Sequence, residues 1–373
     1  MAKRPDIIVS WKDVEAKKRA AAHHGKENFG FNAPIGAATG LSRLLVSHVR
    51  LPPGARSHIP NAVKDEEQFW FVLEGRPDFF VDGNLHQLEE GDGVTLNDRT
   101  GISTSFLNNS DKPVRLFFMS EGPRYATKYA HALAHDRSAN AALKELGKHW
   151  HDAPKRSLGA HDGLTDAVRG KKHAKSTRAR VRPAFVCHWR DLLASKPNMY
   201  DGSDEAQGIN ARFGLQARFS RIGVHVELLK PGRRTSWPHA ERDEEEYVFV
   251  AEGKVDCWLD GYVYPMRKGD FVGWRGGDGI THVIMNNSKD DAVLIVGGEA
   301  SRHRSRVWYP YHPHRQKQIG ENYWHDHPVP TLGPHDGLPD ALRAKLPKAA
   351  LKSALAANKA AIRLGGRKRP SKR

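Results

Sequence analysis

Short runs in which apolar residues alternate with polar ones, or stand together unbroken, recur along the chain and are punctuated by Gly, Pro, Asn and Asp. That pattern predicts an all-β protein of short strands and tight turns, with a few short flanking helices such as NAALKELGKHW, which would cap the barrels. Asp82-Gly83 and Asp260-Gly261 each lie between two apolar runs, where a two-residue hairpin turn needs the positive φ that Gly adopts freely. QFWFVL from Gln68 and EYVFVA from Glu246 are apolar on both strand faces. Each strand is therefore expected to fill a barrel with one face and to pack on a second sheet, that of the partner module, with the other.

The runs repeat. A shift of 178 residues lays 54–124 over 232–302 without a gap, with about a third of the positions identical. DEEQFWFVLEG lies over DEEEYVFVAEG, Gly91-Asp92 over Gly269-Asp270, and one Asn-Asn-Ser over another. The opening RPDIIVSWKD matches RPAFVCHWRD, and the closing WHDAPKRSLGAHDGLTDA matches WHDHPVPTLGPHDGLPDA. The 373 residues also suit two domains at roughly 150 each. This divides the chain into an N-terminal module 1–170, a basic linker 171–181, a C-terminal module 182–345 and a basic Ala/Lys-rich tail 346–373.

The net charge of +16 changes little in this picture, because seven basic residues of 169–182 and eleven of 341–373, with no acid in either segment, account for it. The two modules are nearly neutral. The tail reads as a solvated, partly helical extension or as a weak binder of nucleic acid or an acidic partner, and the lack of aromatic residues in it favours the first. Two cysteines are too few for a disulfide framework or a thiolate zinc site. No apolar run has the length of a signal peptide or a membrane span, so a soluble, cytoplasmic protein without a membrane partner is expected.

With the repeat in hand, the residues resemble the cupin superfamily, and the tandem bicupins in particular. The first cupin motif reads here as Gly232, His239-Ala240-Glu241, Glu246 and Gly253; the second reads as Gly269, Gly277, His282 and Asn286. Glu241 stands where a second His is usual, Arg275 replaces a Pro, and the interval from Gly277 to His282 is two residues longer than usual. The resemblance implies two tandem double-stranded β-helix (jelly-roll) barrels, and a divalent metal in the second held by His239, Glu241, Glu246 and His282. It admits dioxygenase, isomerase, epimerase or lyase chemistry on a small polar molecule, a non-catalytic ligand-binding or structural role, and a homo-oligomer. Residues 239 and 241 fall on one face of a strand. Ligation rich in oxygen leans to manganese or iron, with zinc, copper and nickel also open.

The first copy acts as an internal control. Asn61, Val63, Gln68 and Thr104 occupy the four ligand places there, and none is a strong metal ligand. Three Trp found only in the second copy, Trp237, Trp258 and Trp274, are candidates for the substrate wall, against ordinary core packing. Arg275 is a candidate for an anionic group, against a plain surface role. His325, Asp326, His335 and Asp336 form a His/Asp set, but His151, Asp152, His161 and Asp162 match it in the copy without ligands, which favours a structural clasp.

Overall fold

The computed structural model describes residues 4–17, 23–24, 27–122, 127–133, 137–170, 179, 181–300, 305–329, 331–345 and 367–368. Most of the basic linker and nearly all of the basic tail, and with them the expected contact to nucleic acid or an acidic partner, lie outside the described residues. Among the described residues no helix is long and apolar enough to cross a membrane.

Two six-stranded sheets dominate. One runs Val186–His188, Asp92–Leu96, Gln68–Glu74, Val114–Ser120, Leu45–Leu51, Phe31–Ala33; the other runs Ile8–Ser10, Asp270–Trp274, Glu246–Glu252, Ala292–Glu299, Ile222–Leu229, Ile209–Ala211. Each is opposed by a three-stranded sheet, Thr104–Leu107, Asp78–Val81, Asn84–Gln87 in the first barrel and Tyr262–Arg267, Lys254–Leu259, His282–Met285 in the second. All of these pairings are antiparallel. The expected hairpins are present: Asp82 and Gly83 have φ of 46° and 81°, Asp260 and Gly261 of 47° and 89°, and each pair joins two hydrogen-bonded strands.

The edge strands cross over between modules. Ile8–Ser10, from the start of the chain, pairs with Asp270–Trp274 of the second barrel, and Val186–His188, from the start of the second repeat, pairs with Asp92–Leu96 of the first. Arg4 then reaches Asp270 at 3.1 Å and Arg182 reaches Asp92 at 2.6 Å. Gly269 and Gly91 lie beneath Trp11 and Trp189, where a Cβ would come within 3 Å of the indole and where φ is 91° in both cases. The repeated Arg-Pro, Trp and Gly-Asp positions are thus halves of one contact, made reciprocally.

A second reciprocal contact uses the last Glu of each DEE run. Glu67 accepts hydrogen bonds from the backbone N–H groups of Ser220, Arg221 and Ile222 and from the Ser220 hydroxyl, at 2.8–3.1 Å. Glu245 does the same with Ser42, Arg43 and Leu44. Between these clamps the two large sheets meet face to face, Phe69, Phe71, Phe117 and Met119 of one packing in a common core with Tyr247, Phe249, Phe271 and Ile295 of the other. The doubly apolar strands bury one face here and turn the other into their own barrels.

Candidate metal centre

The second barrel encloses a cavity of about 280 Å³. His239 leads into the short strand Ala240–Glu241 and bridges His282, which opens the strand His282–Met285; Glu246 opens the strand Glu246–Glu252 on the opposing sheet. His282 Nε2 lies 3.2 Å and His239 Nε2 3.8 Å from the same carboxylate oxygen, Oε2 of Glu246. Among the described residues these three form the one group with metal-ligating atoms within 4.8 Å of each other.

Both rings are oriented by the backbone. His239 Nδ1 is 2.8 Å from the Trp237 carbonyl and His282 Nδ1 is 3.0 Å from the Ile280 carbonyl. A carbonyl only accepts, so each Nδ1 carries a proton and donates it, which turns the Nε2 atoms toward Glu246. Burial, and then the neighbouring His282, pull the His239 pKa down to about 4 against the opposing pull of Glu246, so this ring is neutral and its Nε2 is a bare lone pair. Burial raises the Glu246 carboxyl, but the facing His282 and His239 outweigh it and hold it below the usual range. Its Oε2 is buried without a hydrogen-bond partner. A proton between His282 and Glu246 would answer one of these contacts, whereas a divalent ion answers all three, so the donor set fits a metal.

Glu241, grouped with these three in the sequence, lines the same cavity but stands outside the cluster. Its Oε2 accepts a 2.6 Å hydrogen bond from Ser305, and burial followed by repulsion from Glu246 raises its pKa well above the ordinary range. Both influences favour the protonated form of this carboxyl group beside the cluster.

The four candidates for the substrate wall separate. Trp274 lines the cavity and stacks on His282 at 3.9 Å. Trp237 stands behind the wall, stacked between Tyr200 and His312 and bonded through Nε1 to Glu205. Trp258 packs with Val283, Met285 and Tyr311 and donates to the His335 carbonyl, so its polar edge is already used. Arg275 is exposed and lies against Gly40 of the other module, away from the cavity. The wall contains instead residues the sequence reading passed over: Tyr200, Tyr309, Ser236 and Glu227.

Of the His/Asp set, the later pair acts in both modules alike. Arg169 bridges His161 Nε2 and Asp162, and Arg343 bridges His335 Nε2 and Asp336.

In the first barrel Asn61 still bridges Thr104 and donates to the Ile59 carbonyl, a neutral copy of the His239 arrangement. Its interior differs in bulk as well. Val248, Ile284 and Val296 of the cavity wall are matched by Trp70, Phe106 and Phe118, whose rings pack with centroids 4.9 and 4.2 Å from that of Trp70. The copy without ligands is also the copy filled with rings.

A cupin domain model matches residues 47–120 and again 225–298. The chain is a bicupin. Among solved structures, the bicupin is similar to salicylate 1,2-dioxygenase from Pseudaminobacter salicylatoxidans at 13% identity and a TM-score of 0.51, covering 81% of this chain and 86% of that one. A point mutant of that enzyme in complex with gentisate gives 12% identity and a TM-score of 0.53, with 81% and 84% covered. An oxalate decarboxylase from Lactobacillus farciminis aligns at 14% identity with a TM-score of 0.48, over 87% of this chain and 96% of that one. The two dioxygenase likenesses are of fold. No curated protein matches the bicupin in sequence.

Proposed function

We propose that the C-terminal barrel of this bicupin binds a divalent metal through His239, Glu246 and His282 and takes a small polar organic molecule into the cavity beside it. The observation that carries this reading is the convergence of two backbone-oriented imidazole Nε2 atoms on one buried carboxylate oxygen that lacks a hydrogen bond. A bound metal would polarise an oxygen of the ligand and so support the lyase, isomerase or dioxygenase chemistry of this fold. The chain's own residues would exclude water and manage protons. Tyr200 and Tyr309 wall the cavity, Trp274 fixes the His282 ring by stacking, and Glu241, whose surroundings favour a bound proton, stands next to the cluster. The first barrel, with its interior filled, serves as scaffold.

Metal content of purified protein, measured by mass spectrometry after dialysis against manganese or iron, tests this. About one ion per chain is expected in the wild type and in Gln68→Ala, with a loss of at least tenfold in His282→Ala. Equal metal in the wild type and His282→Ala would sink the assignment.

A further inference from the structure

Resting on the metal reading above, we infer that the cavity selects a small neutral or cationic molecule that offers a hydroxyl or amine donor to Glu227, and rejects carboxylic acids. Glu227 lies on the strand Ile222–Leu229, is 2% exposed, and lines the same cavity as the His239–Glu246–His282 cluster. Its Oε2 is 3.3 Å from His225 Nε2, while its Oε1 is buried with no hydrogen-bond partner. That oxygen is packed against Gly208, where a Cβ would come within 2 Å of it, so the chain leaves room for this carboxylate by placing glycine there.

Both members of the pair belong to the second copy alone. The repeat places Ser47 and Val49 at the positions of His225 and Glu227, so the barrel tolerates an uncharged pair there and the acid is not needed for the fold. With Glu241 and Glu246 the cavity wall carries three carboxyl groups, and among the described residues it carries no Lys or Arg. The carboxylates of Glu246 and Glu227 together already offset a divalent ion. An anionic ligand would therefore bring its charge into a buried space with no compensating cation, which is costly. A hydroxyl or ammonium group instead supplies what Glu227 lacks. The Trp274 indole N–H, buried and likewise without a partner, can donate to the same hydroxylated ligand without altering the charge balance.

The test uses three probes on one carbon skeleton: glycerol, 3-aminopropane-1,2-diol and glycerate. Manganese-loaded full-length protein, with its metal stoichiometry measured first, is titrated with each, and binding is read from the paramagnetic relaxation of the probe's protons. Glycerol, the amine or both are expected to bind at least tenfold better than glycerate, and the comparison of those two shows whether the donor is hydroxyl or ammonium. In Glu227→Val, the first barrel's own residue at that place, and in Glu227→Gln, metal content is expected to stay unchanged while the preference falls at least fivefold. Glycerate binding as well as the other two, or a preference that persists in both variants, overturns the inference while leaving the metal reading intact. Failure of the wild type to hold manganese removes the metal reading, and this inference with it.

Discussion

At position 248 the second barrel has Val and at the matching position 70 the first has Trp, and much of the difference between an open and a filled interior rests on this exchange. Trp70→Val should leave a void in the first barrel and cost about 3 kcal/mol, read by urea unfolding. Val248→Trp should close the second cavity, abolishing relaxation of the small-molecule probes, at a smaller cost of about 1–3 kcal/mol for the added bulk. A first barrel that loses under 0.5 kcal/mol would show that Trp70 does not fill it. The repeat makes His239, Glu246 and His282 legible as candidate ligands, because they and their replacements sit at fixed offsets within a gapless alignment. Val49 and Glu227 lie just ahead of the gapless alignment, which opens at Gly54 and Gly232. Trp237, in a bend, and Trp258, on a strand, stand out in the repeat as strongly as Trp274, because a substitution does not say whether its side chain looks inward. Tyr200 and Tyr309 lie in segments beyond the gapless alignment, which carried no signal for them.

Strands and hairpins were legible because their signals are local: alternation, and Asp-Gly at the turns. Strand exchange is not local. The openings RPDIIVSWKD and RPAFVCHWRD are recognisable as repeats, but the antiparallel pairing of Ile8 with Val272 spans most of the chain, and the repeated Arg, Trp and Gly-Asp positions around it do not say which copy meets which. The exchange bears on the site, since the strand Asp270–Trp274, paired on one side with Ile8–Ser10, ends in the indole that stacks on His282. Removing residues 1–10 should therefore speed amide hydrogen exchange at 270–274 by at least tenfold and weaken metal retention, although no metal ligand is touched. Unchanged protection at those amides would mean that the arm contributes nothing to this edge.

For the molecule as a whole, the two clamps made by Glu67 and Glu245 tie one barrel's sheet to the other around the shared core of Phe71, Phe117 and Phe249. Glu245→Ala would strand the N–H groups of Ser42, Arg43 and Leu44, and should cost about 2–4 kcal/mol in urea unfolding with a single cooperative transition retained. Glu67→Ala should behave alike, because the contact is repeated; a loss under 0.5 kcal/mol in both would show that the apolar faces alone hold the modules together. In the sequence the DEE run is legible only as a matched piece of the repeat. The identity of its last Glu in both copies is explained by this clamp.

Because each half lends its leading arm to its neighbour and receives one back, the arrangement is that of two identical subunits embracing about a twofold axis, realised within one polypeptide. Separate identical subunits would be bound to share every mutation, so a ring placed in one interior would block both. Covalent tandem linkage lifts that obligation. One half was free to take rings into its interior while the other carries a cavity, and the reciprocal embrace joins the two.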